Sequence, residues 1–589
     1  MKDFFKTVGA SLVALIIFTV IAGAIVLMSI VGMVAASSTT ISVDKNSVLV
    51  LKLDGDMSDQ VDDTNIRAQL QGVSGLGLTE TLSAIKKAKD NDNIKGIYIE
   101  TGDLGIDVAQ AQEIRDALED FKTSKKWIIA YGELYGIMDY YIASVADKVY
   151  MNTQGLVDWH GLGGEIPYYK NAFAKIGVKF TVLKYGKYKS AGERFTEEKM
   201  SAADREQTER YMFGWWQTIC QAVSKSRGIS IPQLNAYADR LITFDNPQNF
   251  RKCKFVDGLC YNDEIKDIVK KQMGLGEDDE LHQLTVADMQ DVKEKKDGDQ
   301  IAVYYASGEI VDEQNPLAAF QGRQIVVKDM CDELQTLADD DDVKAVVLRV
   351  NSPGGSAYGS EQIWHEIMKL RAKKPVVVSM GGYAASGGYY ISAPANYIFA
   401  EPTTITGSIG IIGCLTDESA LRTKILGINY DYIYTNRNAT MGSDGKPMTA
   451  EQLAIMQNHL ANGYMLFKTR VSQGRKLSMN RVEEIAQGHV YLGSDALKIK
   501  LVDELGGIDK AVAKAAQLAK VKEYYAANYP GGESIFDELL GSQEGGPTSF
   551  LDEQMRQALG DLYEPVMMLR TTQYMNPIQA RLPYIIKIK

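Results

Sequence analysis

Ser386 and a group of three lysines are the side chains of this 589-residue chain best set up by their neighbours for covalent chemistry. The serine stands in Gly381-Gly-Tyr-Ala-Ala-Ser386-Gly-Gly388, and a second glycine-bearing segment, Asn351-Ser-Pro-Gly-Gly355, precedes it. The lysines lie far upstream, in Lys184-Tyr-Gly-Lys187-Tyr-Lys189-Ser-Ala-Gly192. A serine hydroxyl is a weak nucleophile until a base removes its proton, and either histidine or lysine can be that base. Of the histidines, His365 falls two residues after Ile363, about 200° around a helix from the apolar face, which turns it toward solvent. His160, His282, His459 and His489 occur in no triad-like setting. A lysine base must be uncharged when substrate is bound. Starting from a pKa near 10.4, neutralisation at pH 7 costs about 4.6 kcal/mol, and burial that lowers the pKa to about 8 reduces this to about 1.4 kcal/mol. Desolvation between two domains supplies such a shift, and Ser–Lys pairs are a variant of the triad logic. The spacing alone leaves open which of the three lysines acts.

The glycines have a matching use. An apolar strand (375–378) precedes Ser386 and a short helix (388–392) follows it, so the backbone N–H groups of a helix start lie beside the nucleophile. Gly387 and the Gly354-Gly355 loop are the candidate donors to a tetrahedral oxyanion, where the missing Cβ permits close approach. Taken singly, each element has an ordinary structural explanation: a tight strand–helix junction, a turn, a solvated basic face.

What lifts them above that is the organisation of the chain. Compared with itself at a shift of 249 residues, Lys95-Gly-Ile-Tyr-Ile99 falls on Lys344-Ala-Val-Val-Leu348, each after an acidic turn. Ile114, Leu118 and Phe121 fall on Ile363, Ile367 and Leu370, both sets marking one apolar helix face. Trp127-Ile-Ile-Ala-Tyr-Gly132 falls on Val376-Val-Val-Ser-Met-Gly381. Alternating strand and helix signals indicate α/β units with crossover connections, present in two copies. The expected organisation is a stub and anchor at 1–44, a first α/β repeat at 45–297, a second at 298–525, and a linker and tail at 526–589. The acidic run 339–342 reads as a hydrated turn.

The copies differ where chemistry is expected. The first carries Ile137 at the position of Ser386 and lacks the Pro-Gly-Gly of the second; the second has no lysine in Tyr434-Thr-Asn-Arg-Asn-Ala-Thr-Met441, which matches the lysine segment. One half holds the glycine-lined serine and the other the lysines, as expected if a single site needs one element from each half; the two could meet within one chain, which is preferred, or across neighbouring chains.

Composition bounds the rest. A net charge of −12 argues against a general nucleic-acid binder, because such affinity comes mainly from phosphate neutralisation. Five cysteines without a CxxC pair disfavour a disulfide scaffold or a zinc site and leave one bridge, Cys253–Cys260, open. No metal or other cofactor is expected. Lys6 and Asp44 bracket a stretch free of charge, within which Leu12 to Ala36 is almost wholly apolar. At about 1.5 Å per residue this exceeds a ~30 Å hydrocarbon core, and it is longer than the apolar region of a cleaved signal peptide. Residues 8–36 are therefore expected to contact membrane lipid as a single-pass anchor, with the bulk of the chain on the non-cytosolic side.

Together, Gly186-Lys-Tyr-Lys-Ser-Ala191, Asn351-Ser-Pro-Gly-Gly-Ser356 and Tyr383-Ala-Ala-Ser-Gly-Gly-Tyr389 resemble the signal peptide peptidase A family in its long, duplicated, membrane-anchored form. The resemblance covers nearly the whole chain. It implies tandem Clp protease/crotonase-like α/β domains, Ser386 as nucleophile, Lys189 as general base, and Ser408 as the hydroxyl that orients the lysine amine; the first copy has Trp159 at that last position. It further implies a bacterial inner-membrane serine endopeptidase that degrades leftover signal peptides and assembles as a homo-oligomer, with a tetramer favoured. Two rivals are a non-catalytic membrane scaffold of the same fold and a crotonase-like acyl-transfer enzyme.

Overall fold

The computed structural model describes residues 41–61, 76–276, 278–292, 297–314, 323–530 and 578–582. The apolar run expected to anchor the chain and most of the tail lie outside them. Among the described residues no helix is long and apolar enough to cross a membrane.

The first half folds around a sheet of strands β1 (Ser47–Ser58), β2 (Leu76–Gly77), β3 (Ile94–Gly105), β4 (Trp127–Tyr135) and β5 (Lys148–Val157). β6 (Lys179–Tyr185) leaves this sheet, whereas β7 (Gly258–Leu259) and β8 (His282–Leu284) return to it. The strand order is β2-β1-β3-β4-β5-β7, with β8 on β1, and these pairings are parallel.

The second half repeats the plan with β9 (Asp299–Ser307), β10 (Glu309–Val311), β11 (Gln324–Val326), β12 (Val343–Ser352), β13 (Gly354–Ser356) and β14 (Val376–Ala385). It continues through β15 (Tyr397–Ala400), β16 (Ile405–Gly407), β17 (Ile411–Asp417), β18 (Val490–Leu492), β19 (Glu504–Leu505) and β20 (Tyr524–Tyr529). Its main sheet has the order β18-β16-β14-β12-β9-β20. β3 and β12, β4 and β14, and the helices Val108–Phe121 and Ala357–Lys373 each begin 249 residues apart, so the repeat seen in the sequence is a repeat of structure. β12 is nearly continuous in apolar residues because helices cover both faces of a parallel sheet.

A third, mixed sheet joins the halves. Its order is β11-β10-β13-β21-β17-β6, where β21 is Ile578–Arg581 from the tail. β6, from the first half, pairs antiparallel with β17, from the second, over Tyr185↔Ile411 to Lys179↔Asp417. Beside this sheet lies a buried ion network. Arg349 Nη2 stands 3.0 Å from Asp59 Oδ1 and 2.5 Å from Glu113 Oε1, bonding the second half to two carboxylates of the first.

Several expectations are refined. The strand before the serine is longer than 375–378, running to Ala385 with Gly381 and Gly382 inside it. The second main sheet extends past 525, since β20 pairs with β9 as far as Tyr529. The tail, whose place the sequence left undecided, supplies β21. All five cysteines are free, so the bridge left open between Cys253 and Cys260 is not formed.

Candidate active site

Ser386 ends β14 at a sharp strand-to-helix turn. Its backbone adopts φ +55°, ψ −113°, a conformation that L residues rarely take and that needs surrounding structure to hold it. Ser386 N donates to Gly407 O at 2.8 Å, and Tyr390 N donates to Ser386 O at 2.8 Å, opening the helix Gly387–Ser392. The side chain is fully buried.

Lys189 follows β6. That strand's pairing with β17 brings the first half's chain beside the loop of Ser408, and three further contacts fix the segment. Tyr188 N donates to Gln487 O at 2.8 Å. Gln207 Nε2 donates to Tyr188 O at 3.1 Å and to Asp204 Oδ1 at 3.0 Å. Ser190 Oγ donates to Asp204 Oδ1 at 2.6 Å. Gln207 and Asp204, on the helix Ala202–Arg227, are positioning residues that sequence reasoning did not find. Their side chains carry no motif, and they meet the lysine only through the fold.

The result is a compact polar centre within one chain. Lys189 Nζ lies 2.7 Å from Ser386 Oγ, 3.0 Å from Ser408 Oγ and 3.1 Å from Ser408 O. All three residues are fully buried. Burial pushes the Lys189 amine down to about 7, so the neutral form is available near neutral pH. A neutral amine has two N–H bonds and one lone pair. With the two Ser408 oxygens accepting the N–H bonds, the lone pair is left to face the Ser386 hydroxyl. The other two lysines have different work: Lys184 Nζ pairs with Glu193 Oε1 at 3.1 Å, and the exposed Lys187 reaches the Tyr188 hydroxyl at 3.3 Å.

β21 lies across this centre between β13 and β17. Its register sets Gly354 against Arg581, Gly355 against Ala580 and Ser356 against Gln579, with Ile412 facing Gln579 on the other edge. Leu582 N donates to Pro353 O at 2.9 Å. Antiparallel bonding recurs at every second residue, so the N–H of Gly355 is turned toward Ala580. From the other side, a Cβ on Gly387 would stand 3.2 Å from the Ala580 carbonyl oxygen. Two of the candidate oxyanion donors thus flank one peptide carbonyl. Gly354 serves differently. Its N–H donates to Ser352 Oγ at 3.2 Å, and at φ +99° a Cβ there would collide with the Ala580 carbonyl oxygen, so this glycine contributes room and not a donor.

The first half holds no such centre at the equivalent place. Ile137 and Trp159 are buried in its core, and Trp159 Nε1 donates to Leu234 O at 3.0 Å. His365 is exposed, as its place on the helix requires. Among the described residues no group of His, Cys, Asp and Glu is arranged to hold a metal ion.

Comparison with known proteins finds relatives over most of the chain. The model of the family described as "Peptidase family S49" matches residues 120–276 and 368–522, one stretch in each half, and that of "Clp protease" matches 308–404. "Protease 4" of Salmonella typhi is 38% identical over 492 residues, covering 82% of this chain and 78% of the relative. "Protease 4" of Haemophilus influenzae is 33% identical over 521 residues, covering 85% and 83%. "Serine protease SPPA, chloroplastic" of Arabidopsis thaliana is 29% identical over 485 residues, covering 81% and 70%.

Proposed function

The chain belongs to peptidase family S49 and is a serine protease, and from that premise we propose that it is a Ser/Lys-dyad endopeptidase for apolar peptides such as leftover signal peptides. The observation that carries the dyad is the 2.7 Å contact between Lys189 Nζ and Ser386 Oγ in a fully buried setting.

In this reading Ser386 Oγ attacks the peptide carbonyl carbon while its proton passes to the neutral Lys189 amine. The carbonyl oxygen, now negative, is held by the N–H groups of Gly355 and Gly387. The Lys189 ammonium then gives its proton to the departing amine as the C–N bond breaks, leaving an acyl ester on Ser386. Water, deprotonated by the same amine, hydrolyses the ester and restores the serine. Ser408 keeps the amine in place throughout.

The apolar substrate class and the setting rest on the anchor-like run at residues 8–36 and the family resemblance. Both favour a single-pass protein of the bacterial inner membrane with its two halves on the non-cytosolic side. A Clp protease-like α/β fold suits an oligomeric protease acting on peptides, and a homotetramer is the proposed assembly.

Labelling with a fluorophosphonate, followed by peptide mapping, tests the assignment. Modification at Ser386 is expected, and its loss in Ser386→Ala. Labelling at another serine, or full peptidase activity in folded Lys189→Ala, overturns it.

A further inference from the structure

A cavity of about 540 Å³ opens at the junction of the halves, lined by residues of both, by Pro353 and by Arg581 of β21. Its lining includes the carboxylates of Asp56, Asp59, Asp107 and Glu309, and among the described residues its cations are Arg323 and Arg581. Asp59 is already matched by Arg349, and Asn351 Nδ2 donates to its second oxygen at 2.8 Å. With Arg581 of the tail set aside, Asp56, Asp107 and Glu309 face one lining cation, Arg323.

Arg581 enters this cavity from β21, and its place on that strand is what gives the cavity meaning. Ala580 presents its carbonyl to Gly355 and Gly387, the positions that would hold an oxyanion. The residue after that carbonyl is Arg581, on the side from which an amine would leave. Its guanidinium Nη1 lies 3.2 Å from Glu309 Oε1. Leu582 continues the extended path through its bond to Pro353. The tail therefore shows how a peptide in this groove would distribute its side chains about the bond to be cut.

We propose that this cavity is the subsite for the side chain immediately following the scissile bond, and that Glu309 and Asp107 make it select a cationic residue there. The proposal deepens the endopeptidase reading and rests on it. A Lys or Arg side chain extends its charge away from the backbone, far enough to end among carboxylates. Glu309, about one-sixth exposed in its side chain, lies in a less screened setting than a surface carboxylate. Burial raises the Asp107 carboxyl to about 7, and an incoming cation would favour its ionised form.

The test uses the full chain and five-residue peptides of sequence Ile-Gln-Ala-X-Leu, with Arg, Lys, Ala or Glu at X. Hydrolysis after alanine is expected, with kcat/KM for Arg and Lys at least about fivefold above Ala, as one partly screened ion pair allows, and with Glu below Ala. Glu309→Gln and Asp107→Asn, the latter keeping a side chain that can cap the helix Val108–Phe121, should each flatten this order by bringing the kcat/KM of the Arg and Lys peptides toward that of the Ala peptide. Competition binding to Ser386→Ala gives the same ranking without turnover. Equal rates and equal binding across X overturn the subsite proposal alone. A parent protein that cuts none of the peptides, yet binds them in the expected order, overturns the endopeptidase reading and leaves the cation selectivity standing as a binding property.

Discussion

Gly488 approaches Lys189 so closely that a Cβ on the glycine would stand 2.7 Å from the lysine's own Cβ. The glycine also holds φ +72°, and its N–H donates to Ile409 O at 2.8 Å, next to Ser408 in the chain. One residue of the second half thereby sets how near the first half's lysine can come. Gly488→Ala meets Lys189 backbone atoms, which cannot swing aside, so the lysine segment must move. A displacement of about 1 Å at a reacting group can cost roughly a hundredfold in rate. The expected outcome is a folded protein by circular dichroism with kcat lowered by about that factor; an unchanged kcat would show that the segment adapts.

The pH dependence follows from Lys189. Its amine is lowered to about 7 by burial, so the base form grows as pH rises through that value. kcat/KM for a neutral peptide should climb with pH through about 7 and then level off. Stability carries the same signature. Between about pH 7 and the unfolded value near 10.4, the unfolded chain holds a proton on this lysine that the folded chain does not, so stability rises with pH by about 1.4 kcal/mol per unit from this group. Below about 7 both states hold the proton and the contribution is flat at its least favourable. Lys189→Met should remove that slope, measured as the difference between parent and variant in urea unfolding across this range.

Ser408→Ala deletes one of the two acceptors of the lysine's N–H bonds and leaves the backbone oxygen of residue 408 in place. The amine then has freedom to turn its lone pair away from Ser386. Loss of such a hydrogen bond is worth about 1.5–3 kcal/mol, or roughly ten- to a hundredfold in kcat. The fluorophosphonate labelling rate of Ser386 should fall by a similar factor, while KM stays near its parent value.

Truncation before Ile578 removes β21 from between β13 and β17. A strand carried on the same chain competes with peptide as an intramolecular ligand, so its loss should lower the KM for peptides by roughly tenfold or more. Ser386, fully buried in the intact chain, should also label faster. Identical KM and labelling in the truncated chain would show that the strand yields freely to substrate.

Arg349→Met strips the cation from Asp59 and Glu113, which remain buried. Breaking a buried pair by removing one partner costs about 3–5 kcal/mol. A drop of that order in urea unfolding is expected. Replacing all three residues together by apolar ones should recover much of it, because no carboxylate is then left without its partner.

How much of this was legible in the sequence varies residue by residue. The repeat was legible because a buried parallel strand and an amphipathic helix imprint their periods on contiguous residues, and Ile114, Leu118 and Phe121 repeat as Ile363, Ile367 and Leu370. Ser386 and its glycines were legible because a strand-to-helix turn is local, and its residues are neighbours in the chain. The Arg349 network was not, since its carboxylates come from distant segments and any of the chain's 76 acidic residues had equal standing.

Sequence by itself determined the duplicated α/β plan, the division of serine and lysines between the halves, and the kind of chemistry such a division serves. Tertiary structure decided which lysine meets the serine. It also decided that Gly355 and Gly387 flank the carbonyl while Gly354 gives way to it, and that the tail returns as a strand in the groove. The reason is physical: a backbone conformation is encoded by adjacent residues, whereas a lowered lysine pKa depends on what excludes water around one amine. For Lys189, the residues that surround it come from both halves of the chain and are brought together by the pairing of β6 with β17.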